Sequence, residues 1–205
     1  MSVGSTPVGG RLPAAERRTA IVEAALRVFG ERSYRAATTA EIARAAGVSE
    51  PILYRHFAGK QELYVACLEA MVGRLREQAE AFIAAEPDPR EWTFAIPRAI
   101  DVLRREGVYP SQMWVQALGE VGEDPELARY LRRHVRGLHD FAAGIIRRAQ
   151  EAGGVATDRD PDAEAWIGIS VGLLRSVQAR LGGVLTADDF AAIMRSRRLS
   201  LIPPD

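Results

Sequence analysis

Residues 38–57 read TTAEIARAAGVSEPILYRHF, and this stretch decides the fold. Thr38, followed three residues later by Glu41, forms a capping-box pattern that predicts the start of a short helix. Gly47 can adopt the left-handed conformation that ends such a helix. Ser49 is a suitable N-cap for a second helix immediately afterwards. The stretch therefore predicts two short helices joined by a tight turn, a helix-turn-helix.

Each of these two helices has one narrow apolar side. Ile42 and Ala46 are one turn apart on the first helix, and Leu53 and Phe57 are one turn apart on the second, so we expect these sides to be buried. The outward residues of the second helix are then mostly polar: Glu50, Ile52, Tyr54, Arg55 and His56. Such a face is suited to a DNA major groove. An ordinary helical hairpin with a solvated face explains the same spacing equally well.

Basic residues are concentrated near the N-terminus, although the whole chain is neutral. Between Arg11 and Lys60, nine Lys and Arg residues stand against five Glu residues, a net charge of +4 that leaves −4 for the rest. This local excess indicates a surface for a polyanion, although many solvated helices are equally basic. We expect Arg11, Arg17 and Arg18 to lie ahead of the first helix, where they could reach phosphates or the minor groove as an N-terminal arm, or could simply be solvated.

Helix signals recur along the rest of the chain, and strand signals are nearly absent. Asp-Pro pairs at 88–89, 124–125 and 160–161 predict helix starts, as does a capping-box pattern from Thr186 to Asp189. The sequence therefore predicts an all-α protein of about nine helices, with three short basic helices before residue 60 and a larger helical body after it.

The same residues resemble a known family. Thr38-Thr39-x-x-Ile42-Ala43, then Ala46-Gly47-Val48-Ser49, then Leu53-Tyr54-x-His56-Phe57-x-x-Lys60 is similar to the DNA-binding signature of TetR/AcrR-type regulators. The resemblance implies an N-terminal three-helix helix-turn-helix DNA-binding domain and a C-terminal helical ligand-binding and dimerisation domain. We expect residues 1–12 to form a disordered tail, residues 13–60 the DNA-binding domain, and residues 61–205 the ligand-binding and dimerisation domain.

The resemblance also implies which residues contact DNA. Thr39, Tyr54 and His56 are expected on the phosphate backbone, and Lys60, the chain's single lysine, is expected on a further phosphate. Base contacts would fall to Glu50, Pro51, Ile52 and Arg55, with Arg44 from the preceding helix. The complete expected set is Thr38, Thr39, Arg44, Ser49, Glu50, Pro51, Ile52, Tyr54, Arg55, His56 and Lys60.

In the body, the resemblance implies a small-molecule pocket and a dimer interface on the last two long helices, expected at 161–181 and 186–199. The first of these helices is apolar on two sides, which suits a position between pocket and partner, or the centre of a monomeric bundle. The expected interface residues are Leu173, Val177, Leu181, Phe190, Ile193 and Met194. The expected pocket residues, each of a type that is more often plain core than ligand wall, are Trp92, Phe94, Tyr109, Met113, Trp114, His134, Phe141 and Trp166. Their aromatic character indicates a lipophilic or aromatic effector.

No catalytic signature is visible. His134 and His139 are five residues apart and do not share a helix face, and no Gly-rich phosphate loop or Cys-x-x-Cys pair occurs. We expect no enzyme activity, no cofactor, no metal and, without an apolar run of about 18 residues, no membrane partner. We expect a cytoplasmic, nucleoid-associated bacterial repressor that binds a palindromic double-stranded DNA operator as a homodimer and is released by a small-molecule effector. The alternatives are a transcriptional activator of the same fold and a helical protein-interaction module.

Overall fold

The protein is helical throughout the part that the structure describes. The computed structural model describes residues 13–107, 112–120 and 125–203. In these ranges the chain forms nine α-helices, one short 3-10 helix at Pro89–Phe94, and no strand, as the sequence predicts. The α-helices are α1 (Ala14–Glu31), α2 (Thr39–Ala45), α3 (Glu50–Tyr54), α4 (Lys60–Ala85), α5 (Ala95–Arg105), α6 (Gln112–Glu120), α7 (Pro125–Glu151), α8 (Pro161–Leu181) and α9 (Ala187–Leu201). The tail expected at residues 1–12 lies outside the described residues.

Helices α1 to α3 and the beginning of α4 form the N-terminal head. Ile42 and Leu53 are fully buried and Phe57 is 1% exposed, so the apolar sides predicted for α2 and α3 do face the core. Phe29 of α1 and Tyr64 of α4 pack edge to face, with ring centroids 4.9 Å apart. The buried aromatic rings hold the short α2 and α3, which are too short to be stable alone.

Helix α4 is shared by the head and the body. Its first half, including Leu68, belongs to the head core, and its second half, including Leu75 and Ile83, packs with residues of α5 and α7. The Tyr64 hydroxyl donates a hydrogen bond of 2.7 Å to the Met113 carbonyl oxygen, which ties α4 to α6. The buried head core thus crosses the boundary that the sequence predicts between residues 60 and 61.

Two predicted capping boxes are present. The Thr38 hydroxyl accepts a hydrogen bond from the Glu41 N–H at 3.2 Å, and the Glu41 carboxylate accepts from the Thr38 N–H at 3.1 Å. Thr186 and Asp189 repeat this reciprocal pair at the start of α9. Asp160 caps α8 as predicted, by accepting from the backbone two residues later. Local sequence signals are therefore sufficient to place these helix starts.

The predicted Ser49 cap is wrong. Ser49 occupies the N-cap position of α3, but its hydroxyl makes no capping bond. Pro51 lacks the N–H that a cap would bind, and the Ile52 N–H donates instead to the Ser49 backbone carbonyl at 3.0 Å. Pro51 is nevertheless accommodated in the first turn, as predicted. The cap predicted at Asp124 lies outside the described residues.

Helices α5 to α9 form the body. Helix α8 has the predicted bounds, whereas α9 begins one residue later than predicted, after its Thr186 cap, and extends to Leu201. Ion pairs join Arg175 of α8 to Asp101 of α5 and Arg198 of α9 to Glu91 of the 3-10 helix, and a third joins Arg197 of α9 to Glu164 of α8. No helix in the described ranges is both long enough and apolar enough to cross a bilayer.

Candidate nucleic-acid interface

The turn between α2 and α3 fixes the orientation of the recognition helix. Gly47 has a φ of 68°, the left-handed conformation predicted for it. The Val48 N–H then reaches back to the Ala43 carbonyl at 2.9 Å, a bond of the Schellman type that closes the end of α2. With Leu53 fully buried, α3 has a single possible outward face.

That outward face is basic and aromatic. Tyr54 is 50% exposed, and Arg55 beside it and Arg44 on α2 are also exposed. Ile52 and His56 are half-buried. All eleven residues expected to contact DNA lie on α2, α3, their flanking turns or the first residue of α4. The structure therefore brings the predicted set together on one end of the head.

Three members of this set form a hydrogen-bond network that the sequence did not predict. Thr39 Oγ lies 2.7 Å from Glu50 Oε1 and 3.1 Å from the Tyr54 hydroxyl. Thr39 has one hydroxyl proton, which it donates to the Glu50 carboxylate, so Tyr54 must be the donor to Thr39. Both hydroxyl protons are then used within the head. A phosphate contact from either hydroxyl requires this network to open, because phosphate oxygens are acceptors.

Lys60 also has partners inside the head. Its Nζ donates to the Ala37 carbonyl oxygen at 3.2 Å and lies 4.6 Å from the centroid of the Tyr34 ring. The ammonium therefore joins the start of α4 to the loop before α2. Near the other end of α3, the Arg18 guanidinium lies 4.7 Å from the centroid of the Phe57 ring. The prediction that Arg17 and Arg18 precede the first helix is wrong, because α1 begins at Ala14 and contains both of them. Arg11 lies outside the described residues.

Comparison with known proteins identifies this head. Residues 21–67 match the family model of bacterial regulatory proteins, tetR family. The HTH-type transcriptional regulator BetI of Rhizobium meliloti is 36% identical over 124 residues, 60% of either chain. The HTH-type transcriptional activator FasR of Mycolicibacterium smegmatis is 43% identical over 88 residues, 43% of this chain and 40% of that protein. Residues 21–67 therefore form a DNA-binding head of the TetR family.

Solved structures support the TetR-family fold over nearly the whole chain. A proposed TetR-family transcriptional regulator from Rhodococcus sp. superposes with a TM-score of 0.79 at 22% identity, covering 92% of this chain and 100% of that one. The two curated relatives are matched over only 60% and 40% of their own lengths. The family model matches only residues 21–67, which lie in the head, whereas the fold similarity covers most of the body as well.

Two of the open clefts in the body are lined by described residues of α4 and α6 to α8. The smaller, of about 400 Å³, lies between α4 and α7 and is lined by Arg76, Tyr130 and His134 among others. The Tyr130 hydroxyl and His134 Nδ1 are 3.2 Å apart. Burial and the nearby Arg76 lower the pKa of His134 to about 4, so its ring is neutral at pH 7.

The larger cleft, of about 690 Å³, lies between α6, α7 and α8. Its wall includes Leu131, Val135 and the Trp166 ring, and its charged groups are three arginines, at 132, 133 and 136, and one carboxylate, Asp140. The Arg136 guanidinium lies 5.6 Å from the centroid of the Trp166 ring. This cleft therefore offers an apolar surface next to cationic groups.

The residues predicted to share one pocket are not gathered in one cleft. His134 lines the smaller cleft and Trp166 the larger. Met113 is fully buried in the core beneath the head, because α6 directs it toward α4. Trp92, Phe94 and Phe141 are half-buried, and Trp92 and Phe141 pack in the body core. Tyr109 and the side chain of Trp114 lie outside the described residues. The sequence shows which of these residues are large and apolar, but the direction in which each side chain points depends on tertiary packing.

Helix α8 presents an apolar face to solvent. Ile167, Leu173 and Val177 are each about 40% exposed, and Leu181 is 68% exposed. On α9, the predicted interface residues Phe190, Ile193 and Met194 are half-buried, while Leu199 is 75% exposed. In the isolated chain, the apolar sides of α8 are therefore only partly covered.

Proposed function

We propose that this TetR-family protein is a ligand-responsive transcriptional repressor that binds a palindromic operator as a homodimer and releases it when an effector binds. The observation that carries this proposal is the recognition helix, oriented by Gly47 and exposing Tyr54 and Arg55 beside Arg44. A short helix of this kind inserts its N-terminal residues into the major groove. Exposed arginines next to it supply the phosphate attraction that underlies affinity.

The proposed dimer interface is the exposed face of α8 together with α9. A contiguous row of exposed leucine, isoleucine and valine side chains is unusual for a monomer and favours association. A second copy of the same face would cover it symmetrically. Two heads held in this way can meet successive major grooves about 34–36 Å apart, which a single head cannot.

The proposed effector has a lipophilic or aromatic body. The larger cleft supports this, since the Trp166 ring and aliphatic side chains of α7 offer an apolar wall. Arg132 and Arg136 on the same cleft favour an effector that also carries an anionic group. The smaller cleft, with the neutral His134, is more polar and less suited to such a molecule.

Release is proposed to act through α4. Because α4 belongs to both the head core and the body core, a change in the body's packing also displaces the head. Effector binding would favour a dimer whose heads no longer match the operator spacing. Moving the population from mostly bound to mostly released requires about a 10⁴-fold preference of the effector for the released form. The dimer is expected to remain intact on release.

The test is selection of genomic DNA fragments by the full-length protein at two salt concentrations. We expect one palindromic site near a few promoters, with affinity that falls steeply as salt increases. Arg55→Ala should weaken binding, whereas the matched control Arg105→Ala, an exposed arginine at the end of α5, should not. Binding that is weak and indifferent to sequence would refute the proposal.

Activation of transcription is a second candidate, favoured by the 43% identity to the activator FasR over 88 residues. A reporter gene placed behind a promoter that carries the selected site distinguishes repression from activation. Expression that rises when the gene for this protein is deleted indicates a repressor, and expression that falls indicates an activator. A protein-interaction module without operator binding would be favoured if Lys60→Ala and Tyr54→Phe both left DNA affinity unchanged.

A further inference from the structure

We propose that Glu50 is a specificity residue that reads a cytosine in each half of the operator, and that Thr39 positions its carboxylate for this contact. The inference rests on the proposed function and goes further by assigning a base. It begins from the position of Glu50, the first residue of the recognition helix α3. Residues at the N-terminal end of such a helix are the ones that contact base edges in helix-turn-helix proteins.

The Glu50 carboxylate is held on one side only. Oε1 accepts the Thr39 hydroxyl proton at 2.7 Å, and the Tyr54 hydroxyl donates in turn to Thr39 at 3.1 Å. Within the described residues, Oε2 has no hydrogen-bond partner. The side chain is half-buried, so its freedom to swing away is limited. The network thus orients the carboxylate and leaves one oxygen for a donor from outside.

The charge of Glu50 indicates what that donor is. A carboxylate within a basic, DNA-facing surface is repelled by phosphates and by the acceptor atoms of guanine and thymine. It gains only from a base that presents an amino group in the major groove. Cytosine presents its N4 amino group there, whereas adenine places the N7 acceptor beside its N6 donor. Cytosine is therefore the base that a single carboxylate oxygen accepts best.

An acidic residue at the start of a helix also has a plain structural explanation, a favourable interaction with the helix N-terminus. That explanation predicts no effect on base preference. Glu50→Gln separates the two, because the amide oxygen can still accept the Thr39 proton while the carboxylate charge is lost. With its oxygen on Thr39, glutamine turns an amino group outward, so the preference should change from cytosine to a base with an acceptor in the major groove, guanine or thymine.

The experiment is selection of binding sites from a random duplex library by the full-length protein, its Glu50→Gln and Glu50→Ala variants, and the charge-matched control Glu31→Gln. Glu31 is an exposed residue at the end of α1, outside the helix-turn-helix. We expect cytosine at one symmetry-related pair of positions for the unmodified protein and the control, guanine or thymine there for Glu50→Gln, and no preference for Glu50→Ala. The preference at that pair should amount to roughly tenfold in affinity.

Thr39→Val tests the positioning role, because valine keeps the shape and removes the hydroxyl. It should weaken the cytosine preference without replacing it by another base, and it should have no effect on that position when combined with Glu50→Ala. Thermal unfolding of each variant controls for folding. The inference is overturned if the unmodified protein and all the variants select the same base at every position. It is also overturned if the Glu50 variants change the preference only at positions where the unmodified protein selects a base other than cytosine. A protein that selects no palindrome at all refutes the proposed function itself, and this inference with it.

Discussion

At the scale of single residues, Gly47 provides the left-handed backbone conformation that the turn of the head requires. Its φ of 68° is unfavourable for any residue with a Cβ, while a Cβ added there would meet no atom within 4 Å. The cost of substitution is therefore a cost of backbone conformation alone. A glycine in the middle of a helix has the opposite character, because alanine there restricts the unfolded chain more than it strains the folded one.

Gly47→Ala is accordingly expected to lower the free energy of unfolding by about 1–2 kcal/mol. Gly144→Ala, inside α7 with open space around its Cβ, should raise it by about 0.5–1 kcal/mol. Urea denaturation of the two variants provides the measurement. Equal effects of the two substitutions would mean that the turn does not hold Gly47 in the left-handed conformation.

His134 gives a prediction about pH. Its pKa is lowered from 6.5 to about 4 by burial and by Arg76, so between these pH values the unfolded chain binds a proton that the folded chain does not. The contribution of His134 to stability is therefore complete above about pH 6.5 and is lost as the pH falls toward 4. His134→Gln should flatten the decline in unfolding free energy over this range. Parallel curves for the variant and the unmodified protein would contradict the prediction.

Single residues also show what the sequence could and could not predict. Gly47 was predictable because the need for a left-handed residue is local to the turn. The contact of Thr39 with Glu50 was not, because the two side chains are eleven residues apart on separate helices. The cap predicted at Ser49 was only partly predictable from the sequence. Its residue type was right, but the neighbouring proline removed the donor that the cap would bind.

At the scale of elements, α9 is attached to the 3-10 helix by a buried carboxylate. Glu91 is 8% exposed and pairs with Arg98 at 2.7 Å and with Arg198 of α9. Both arginines are about half exposed, so either can be solvated if its partner is lost. The buried Glu91 carboxylate cannot be solvated where it lies, so it needs a cationic partner. Either arginine can serve as that partner when the other is lost.

We therefore expect strong coupling between the two arginines. Arg98→Ala or Arg198→Ala alone should cost about 1 kcal/mol or less, because one partner remains. The double variant leaves a buried charge unpaired and should cost about 3 kcal/mol, more than the two single effects together. A double-mutant cycle by denaturation measures this coupling. Additive effects would show that Glu91 finds another partner or water.

Helix bounds were largely predictable and helix directions were not. Asp160 and Pro161 place the start of α8 through local hydrogen bonding, and the Thr186 box does the same for α9. Met113, in contrast, was expected in a ligand pocket and is buried under the head. The orientation of Met113 depends on how α6 packs against α4, which lies some 50 residues earlier in the chain. The pattern of apolar residues within α6 therefore cannot predict it.

At the scale of the whole molecule, the exposed face of α8 predicts that the protein is a dimer in solution. Val177→Glu places a charge in the middle of that face and should convert the dimer to a monomer. Leu118→Glu is the matched control, since Leu118 is also an exposed aliphatic residue, 47% exposed, but lies on α6. Sedimentation equilibrium separates the two outcomes. A dimer that tolerates glutamate at 177 would exclude α8 as the interface.

The sharing of α4 between two cores has a consequence that follows from its length. The helix has 26 residues and so measures about 39 Å from end to end. If its far end is held in the body, a tilt of about 5° moves the head by about 3.4 Å, the rise of one base pair. A lever of this length turns a side-chain-sized adjustment in the body into a full step along the DNA. In the proposed dimer both heads would take that step, and they would fall out of register with the operator without any helix having to melt.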